Sequence, residues 1–178
     1  MPSYCAFFRG INVGGNNQLP MKELTAILES LGCTQVKTYI QSGNAAFDSK
    51  SRSRTKLATE ITAAIEQAKG FAPLVVLLEQ HQLKTIVAAN PFPEAEDDHK
   101  SLHFFFLTDK AKKPDLAALE TLKAADESFQ LKDDVFYLHA PSGIGRSKLA
   151  AKVDRHLGVA TTARNWRTVS TMLELASA

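Results

Sequence analysis

Apolar residues along the chain alternate between short continuous runs and a helical spacing, and the alternation occurs twice. Residues 4–9 form a short run rich in aromatics, which predicts a strand. Leu24, Ile27, Leu28 and Leu31 then follow the i, i+3, i+4, i+7 period, so a helix is expected from Pro20 with Gly32 as its stop. Residues 36–40 and 44–48 read as strands on either side of a Gln41-Ser42-Gly43 turn. A second helix is expected from about Arg54 to Gly70, with Leu57, Ile61, Ile65 and Ala68 on one face. Residues 73–78 read as another strand, and a helix follows to Asn90, where Pro91 stops it. The order is β-α-β-β-α-β, then α.

Residues 91–100 carry two prolines and four acids without periodicity, the composition of a linker. Beyond them the order repeats. Residues 102–107 read as a strand, and Pro114 opens a helix through Leu116, Leu119 and Leu122. Residues 128–131 and 135–139 form a hairpin around Lys132-Asp133-Asp134. Residues 147–157 read as one helix and 159–162 as a short strand. Asn165 is expected to cap a last helix through Trp166, Val169, Met172 and Leu173. A β-α-β-β-α-β unit is the split-βαβ plait. The expected fold is therefore α+β, with two tandem ferredoxin-like units at 1–90 and 101–178 joined by the linker 91–100.

At 178 residues the chain can bury a core without staples. Hydrophobic content of 44% and charged content of 22% are those of a globular protein. The start lacks a basic segment followed by an apolar one, and no apolar run is long enough for a bilayer, so a cytoplasmic protein without membrane contact is expected. Cys5 and Cys33 lie outside any CxxC pattern and read as reduced, partly buried thiols. The net charge of +2 is unevenly spread: residues 1–93 carry +3, residues 94–134 carry −5 and residues 135–178 carry +4. A nucleic-acid coat calls for a stronger basic excess, although local patches remain open.

Candidate chemistry concentrates in two glycine-rich loops. One runs from Arg9 through Asn12, Gly14, Gly15 and Asn16. The other is Ser142-Gly-Ile-Gly-Arg-Ser-Lys, containing Gly143, Gly145, Arg146, Ser147 and Lys148. Each follows a strand and precedes a helix, where curled amides can hold an anion. The first and third strands of each unit are expected to be parallel neighbours, so residues 10–19 should group with the cationic 49–54, and Lys110-Ala111-Lys112-Lys113 with residues 142–148. On that expectation the Tyr39–Asn44 turn lies at the opposite end from the first loop, satisfying its own backbone or reading a base edge. Lys148, Lys152 and Arg155 would stripe one helix face, with Leu149, Val153 and Leu157 opposite. Trp166 reads as core rather than a stacking platform.

Four segments together resemble the bacterial DUF1697 family: Gly10-Ile-Asn-Val-Gly-Gly-Asn-Asn, Thr38-Tyr-Ile-Gln-Ser-Gly-Asn, Gly143-Ile-Gly-Arg-Ser-Lys-Leu and Ala160-Thr-Thr-Ala-Arg-Asn-Trp. They occur in the family's order across nearly the whole chain. Ala163 is one departure, since the family often runs Thr directly into Arg. The resemblance implies a pair of α/β plaits and supplies no activity or catalytic residue.

Other motifs are mostly excluded by spacing. Neither loop has Walker A or G-x-G-x-x-G spacing, which disfavours ATP hydrolysis and dinucleotide binding. The third strand does not match RNP1. The five histidines form no metal-ligand spacing, and neither a metal nor a cofactor is expected. Ser142 lies in no G-x-S-x-G elbow, and His139 near it reads as structural, with a general base as the alternative role. The expected partner is a phosphate-bearing small molecule or nucleic acid. The alternatives are an enzyme holding an anionic substrate between the units through Arg9, Asn12, Tyr39 and Arg146, and an interaction scaffold. Oligomeric state is not legible.

Overall fold

The computed structural model describes all residues, Met1–Ala178. Contacts divide the chain into two compact units, Met1–Thr85 with Ser170–Ala178, and Ile86–Val169. Each is a four-stranded antiparallel sheet carrying helices, so the α+β, ferredoxin-like reading holds.

In unit 1 the elements are β1 (Ser3–Arg9), α1 (Met21–Ser30), β2 (Thr34–Thr38), β3 (Asn44–Asp48), α2 (Arg54–Lys69), β4 (Leu74–Glu79) and α3 (Gln80–Ala88), whose last residues fall in unit 2. The sheet order is β2-β3-β1-β4. Alternation in β1 directs Tyr4, Ala6 and Phe8 into a core with Leu24 and Leu28 of α1 and Leu57, Ile61 and Ile65 of α2. Full burial of each large aliphatic or aromatic side chain contributes about 1.5–3 kcal/mol. Gly70 takes a left-handed conformation at φ 82° and ends α2, as its position after the apolar stripe predicts. Cys5 and Cys33 are free and buried, and burial pushes their thiols up to about 12 and about 11.

Unit 2 contains β5 (Leu102–Leu107), α4 (Leu116–Leu122), β6 (Ser128–Lys132), β7 (Val135–His139), α5 (Lys148–Ala151), α6 (Val153–Leu157), β8 (Thr161–Asn165) and the start of α7 (Trp166–Ser177). Its order, β6-β7-β5-β8, repeats that of unit 1. Phe105 and Leu107 pack with Phe136 and Leu138 under Leu119, Leu149, Val153 and Leu157. Asn165 Oδ1 accepts from the Thr168 amide at 3.0 Å, the expected cap of α7. Trp166 lies 5.8 Å from Phe104 between ring centroids and belongs with the packed aromatics.

Two local expectations are corrected, and a third segment gains detail. The helix expected over 147–157 is broken: Lys152, at φ −117° and ψ 8°, ends α5 and precedes α6, so Lys148, Lys152 and Arg155 do not stripe one continuous helix. Within residues 91–100, Pro93–Asp97 forms a 3-10 turn that buries Ala95. Strand polarity also differs. β1 pairs antiparallel with β3, and β5 with β7. The tight β2–β3 turn reverses the chain, and β3, which lies between β2 and β1, runs opposite to both.

Candidate functional site

Antiparallel pairing rearranges which loops meet. Phe7 is opposite Asn44 and Ser3 opposite Asp48, so β3 begins where β1 ends. The Gly10–Leu19 loop therefore lies beside the Tyr39–Asn44 turn, and the cationic residues 49–54 lie at the other end of the sheet. In unit 2 the residues after β5 neighbour the β6–β7 turn, with the Leu107 amide on Asp134 O at 2.9 Å. Residues 140–147 lie at the start of β5, where the Ala140 amide reaches Ser101 O at 2.7 Å. Neither expected pairing of a glycine-rich loop with a cationic loop forms.

Asn12 joins the two segments in unit 1. Its Nδ2 donates to Gln41 O at 2.8 Å and Leu19 O at 2.9 Å, while its Oδ1 accepts from the Leu19 amide at 2.7 Å. The backbone can present the carboxamide this way because Asn12 is left-handed, at φ 54°. Asn17, also left-handed, donates through Nδ2 to Gly10 O at 3.1 Å, and the Asn12 amide reaches Asn17 O at 3.0 Å. Between them Val13 and Asn16 form a bridge around Gly14 and Gly15, at φ 57° and 80°. Two positive values are what a two-residue type I′ turn needs.

The facing turn is equally ordered. The Tyr39 amide donates to Asn44 O at 2.9 Å, and buried Asn44 donates through Nδ2 to Tyr39 O at 2.9 Å. Gly43 sits at φ 96° with the Phe8 amide on its carbonyl at 2.9 Å. A Cβ there would lie 3.0 Å from Phe8 Cβ and collide with Ile11, so only glycine fits. Ile40 adopts φ 48°, a conformation unusual for a β-branched residue, and is 49% exposed.

The surface left over is polar and outward. Asn12 is used up in holding the loop, but Gly14, Gly15, Asn16 and Gln18 are exposed. The amides of Gly14 and Gly15 and the side chains of Asn16 and Gln18 make no internal hydrogen bond. Gln41 and the half-buried Tyr39 line the neighbouring turn, and Arg9 ends β1 as an exposed residue. Val13, at 62% exposure, joins Ile40 as an apolar element of the same end. Sequence reasoning missed Ile40 and Val13, because the expected strand polarity put their segments at opposite ends of the sheet.

The second glycine loop is built otherwise. The Gly143 amide reaches Ala140 O at 2.8 Å, and the Ser147 amide reaches Ile144 O at 3.1 Å. Ser147 Oγ caps α5 by accepting from the Ala150 amide at 3.0 Å. Ser142 Oγ donates to Asp126 Oδ2 at 2.7 Å, placing a carboxylate against the loop. Arg146 and Lys148 are exposed, and the helix that follows has only four residues. His139 packs its ring 5.8 Å from Phe92, and the Ser142 hydroxyl is engaged by Asp126. No group of three or more His, Cys, Asp or Glu side chains is placed to hold a metal. No helix is long and apolar enough to cross a membrane.

Two α/β plaits in one chain, the first carrying a clamped glycine loop, define the class of protein. The chain belongs to the family described as protein of unknown function (DUF1697), whose model matches residues 1–137. The matched span includes the clamped loop and its facing turn. Among solved structures, a conserved bacterial protein, SP0830 from Streptococcus pneumoniae, superposes with a TM-score of 0.72 over 98% of both chains at 24% identity. That likeness concerns the fold. No curated protein matches the chain.

Proposed function

We propose that this protein binds a phosphate-bearing ligand, a nucleotide or a nucleic-acid segment, at the end of unit 1 formed by the Gly10–Leu19 loop and the Tyr39–Asn44 turn. One observation carries the reading: Asn12 fixes the two segments together while leaving the Gly14 and Gly15 amides exposed and unpartnered. Preordered amides bind an oxyanion without a further entropy cost, and glycine lets the ligand approach the backbone closely. Asn16, Gln18 and Gln41 supply donors and acceptors for a sugar or base, and Tyr39 a ring to stack on. The loop at Ser142–Lys148 is the weaker candidate, because Asp126 repels an anion there and two of its amides are already satisfied.

A second reading, an interaction scaffold, draws on Val13 and Ile40, two exposed apolar side chains on the segments that Asn12 joins. Calorimetry at low salt separates the two readings. Nucleotides, inorganic phosphate and short oligonucleotides are titrated into the wild type and into a Asn16→Ala/Gln41→Ala double variant. Saturable heat that the double variant loses supports the ligand reading. No heat with any of them, in a protein that remains folded, refutes it.

A further inference from the structure

We propose that residues 50–56, at the opposite end of unit 1, form a docking surface for the phosphodiester backbone of a nucleic acid. Lys50, Arg52, Arg54 and Lys56 alternate with Ser51, Ser53 and Thr55, and no acidic residue occurs between Asp48 and Glu60. All four cations are exposed. Lys50 and Arg52 make no ion pair, and Arg54 donates only to the neutral Gln82 Oε1 at 3.2 Å. Lys56 meets Glu60 loosely at 3.8 Å. The other lysine cluster, Lys110, Lys112 and Lys113, is by contrast flanked by Asp109 and Asp115.

The placement of these charges works against the free protein. A helix start carries partial positive charge and favours acids, yet the first turn of α2 has none and holds Arg54 and Lys56. α1 follows the usual rule with Glu23. Only Lys56 has an acidic neighbour, Glu60, and the remaining electrostatic conflict is the kind of local rule-breaking expected at functional sites. The segment is also ordered rather than trailing: Tyr4 Oη donates to Ser51 O at 2.8 Å, the Ser51 amide to Ser49 Oγ at 3.2 Å, and the Lys56 amide to Ser53 Oγ at 3.2 Å. The helix start is thus capped by its own serine, and the cations project from a fixed frame. A row of cations without any apolar side chain suits a repeated phosphate backbone. A membrane-surface segment would also need apolar residues to insert.

The test compares the full chain with a Lys50→Gln/Arg52→Gln/Lys56→Gln variant, using fluorescence anisotropy of dye-labelled single-stranded DNA from low to physiological salt. The wild type binds more weakly as salt rises. The variant binds about tenfold more weakly at low salt, with a log–log salt slope shallower by about 2, because three cations each contribute about 0.7 on a single strand. Without DNA the same variant melts about 2–4 °C higher, since the repulsion at the start of α2 is reduced to that of Arg54. Small-ligand heat at the Gly10–Leu19 loop is unchanged by these substitutions, so the two sites fail or stand separately. The proposal is overturned by absent DNA binding at low salt or by an unchanged salt slope in the variant. Tighter binding to phosphatidylserine vesicles or polyglutamate than to DNA also overturns it.

Discussion

The two units share one strand order, yet their glycine-rich loops are not counterparts. In unit 1 the loop follows the first strand, and the cationic segment follows the third. In unit 2 the lysines follow the first strand and the glycine-rich loop follows the third. The first loop is closed by side-chain amides from Asn12 and Asn17 and by five left-handed residues at 10, 12, 14, 15 and 17. The second has one left-handed glycine, Gly143, and is tied to an aspartate. Similar composition therefore produces a rigid, open donor surface in one unit and a partly filled, acid-neighboured turn in the other. Position in the topology, more than glycine content, decides what a loop can bind.

The largest contrast is expected on removing the ties. Asn12→Ala deletes three hydrogen bonds and strands the amide of buried Leu19, so unit 1 should lose about 3–4 kcal/mol in urea unfolding. Ser142→Ala, which removes one exposed bond, should cost no more than about 0.5 kcal/mol. Equal losses would erase the distinction between the loops.

The next effect belongs to unit 2. His103 on β5 is buried, its Nδ1 has no hydrogen-bond partner, and burial lowers its pKa from 6.5 to about 4. Between those values the unfolded chain holds the extra proton. This contribution is therefore intact above pH 6.5 and disappears as the pH falls toward 4, with a ceiling of roughly 3 kcal/mol. His103→Leu should flatten that part of the stability profile measured by denaturant unfolding at stepped pH. An unchanged profile would mean that His103 takes up its proton over the same pH range in both states.

A smaller pair sharpens the geometry. Gly43→Ala meets Phe8 Cβ at 3.0 Å and a φ of 96°, and should cost about 2 kcal/mol. Gly143→Ala has nothing within 4 Å and only a left-handed φ to bear, so about 1 kcal/mol is expected from melting curves.

Much of the fold was legible because its signals are local. The stripe Leu57, Ile61, Ile65 ended by Gly70, and the cap at Asn165, act within a few residues. The break at Lys152 was not legible, since Leu149, Val153 and Leu157 keep apolar spacing through it and are all buried. For the site, Gly14, Gly15 and Asn16 were visible as a loop, but Asn12 read as a ligand contact where its three bonds hold the loop together. That role depends on Gln41, 29 residues away, and on strand direction, which apolar spacing does not encode. The orphaned nitrogen of His103 depends likewise on neighbours brought by the sheet.

The clamped loop is tested most directly by amide-resolved NMR titration with the nucleotide or oligonucleotide that gives calorimetric heat. The chain has nine glycines, so their amide signals can be assigned and followed singly. Binding at unit 1 predicts that Gly14 and Gly15 shift most, with Asn16 and Gln41 side-chain amides beside them, and that these shifts vanish in Asn12→Ala. Largest shifts at Gly143 and Gly145, with Gly14 and Gly15 unmoved, would contradict it.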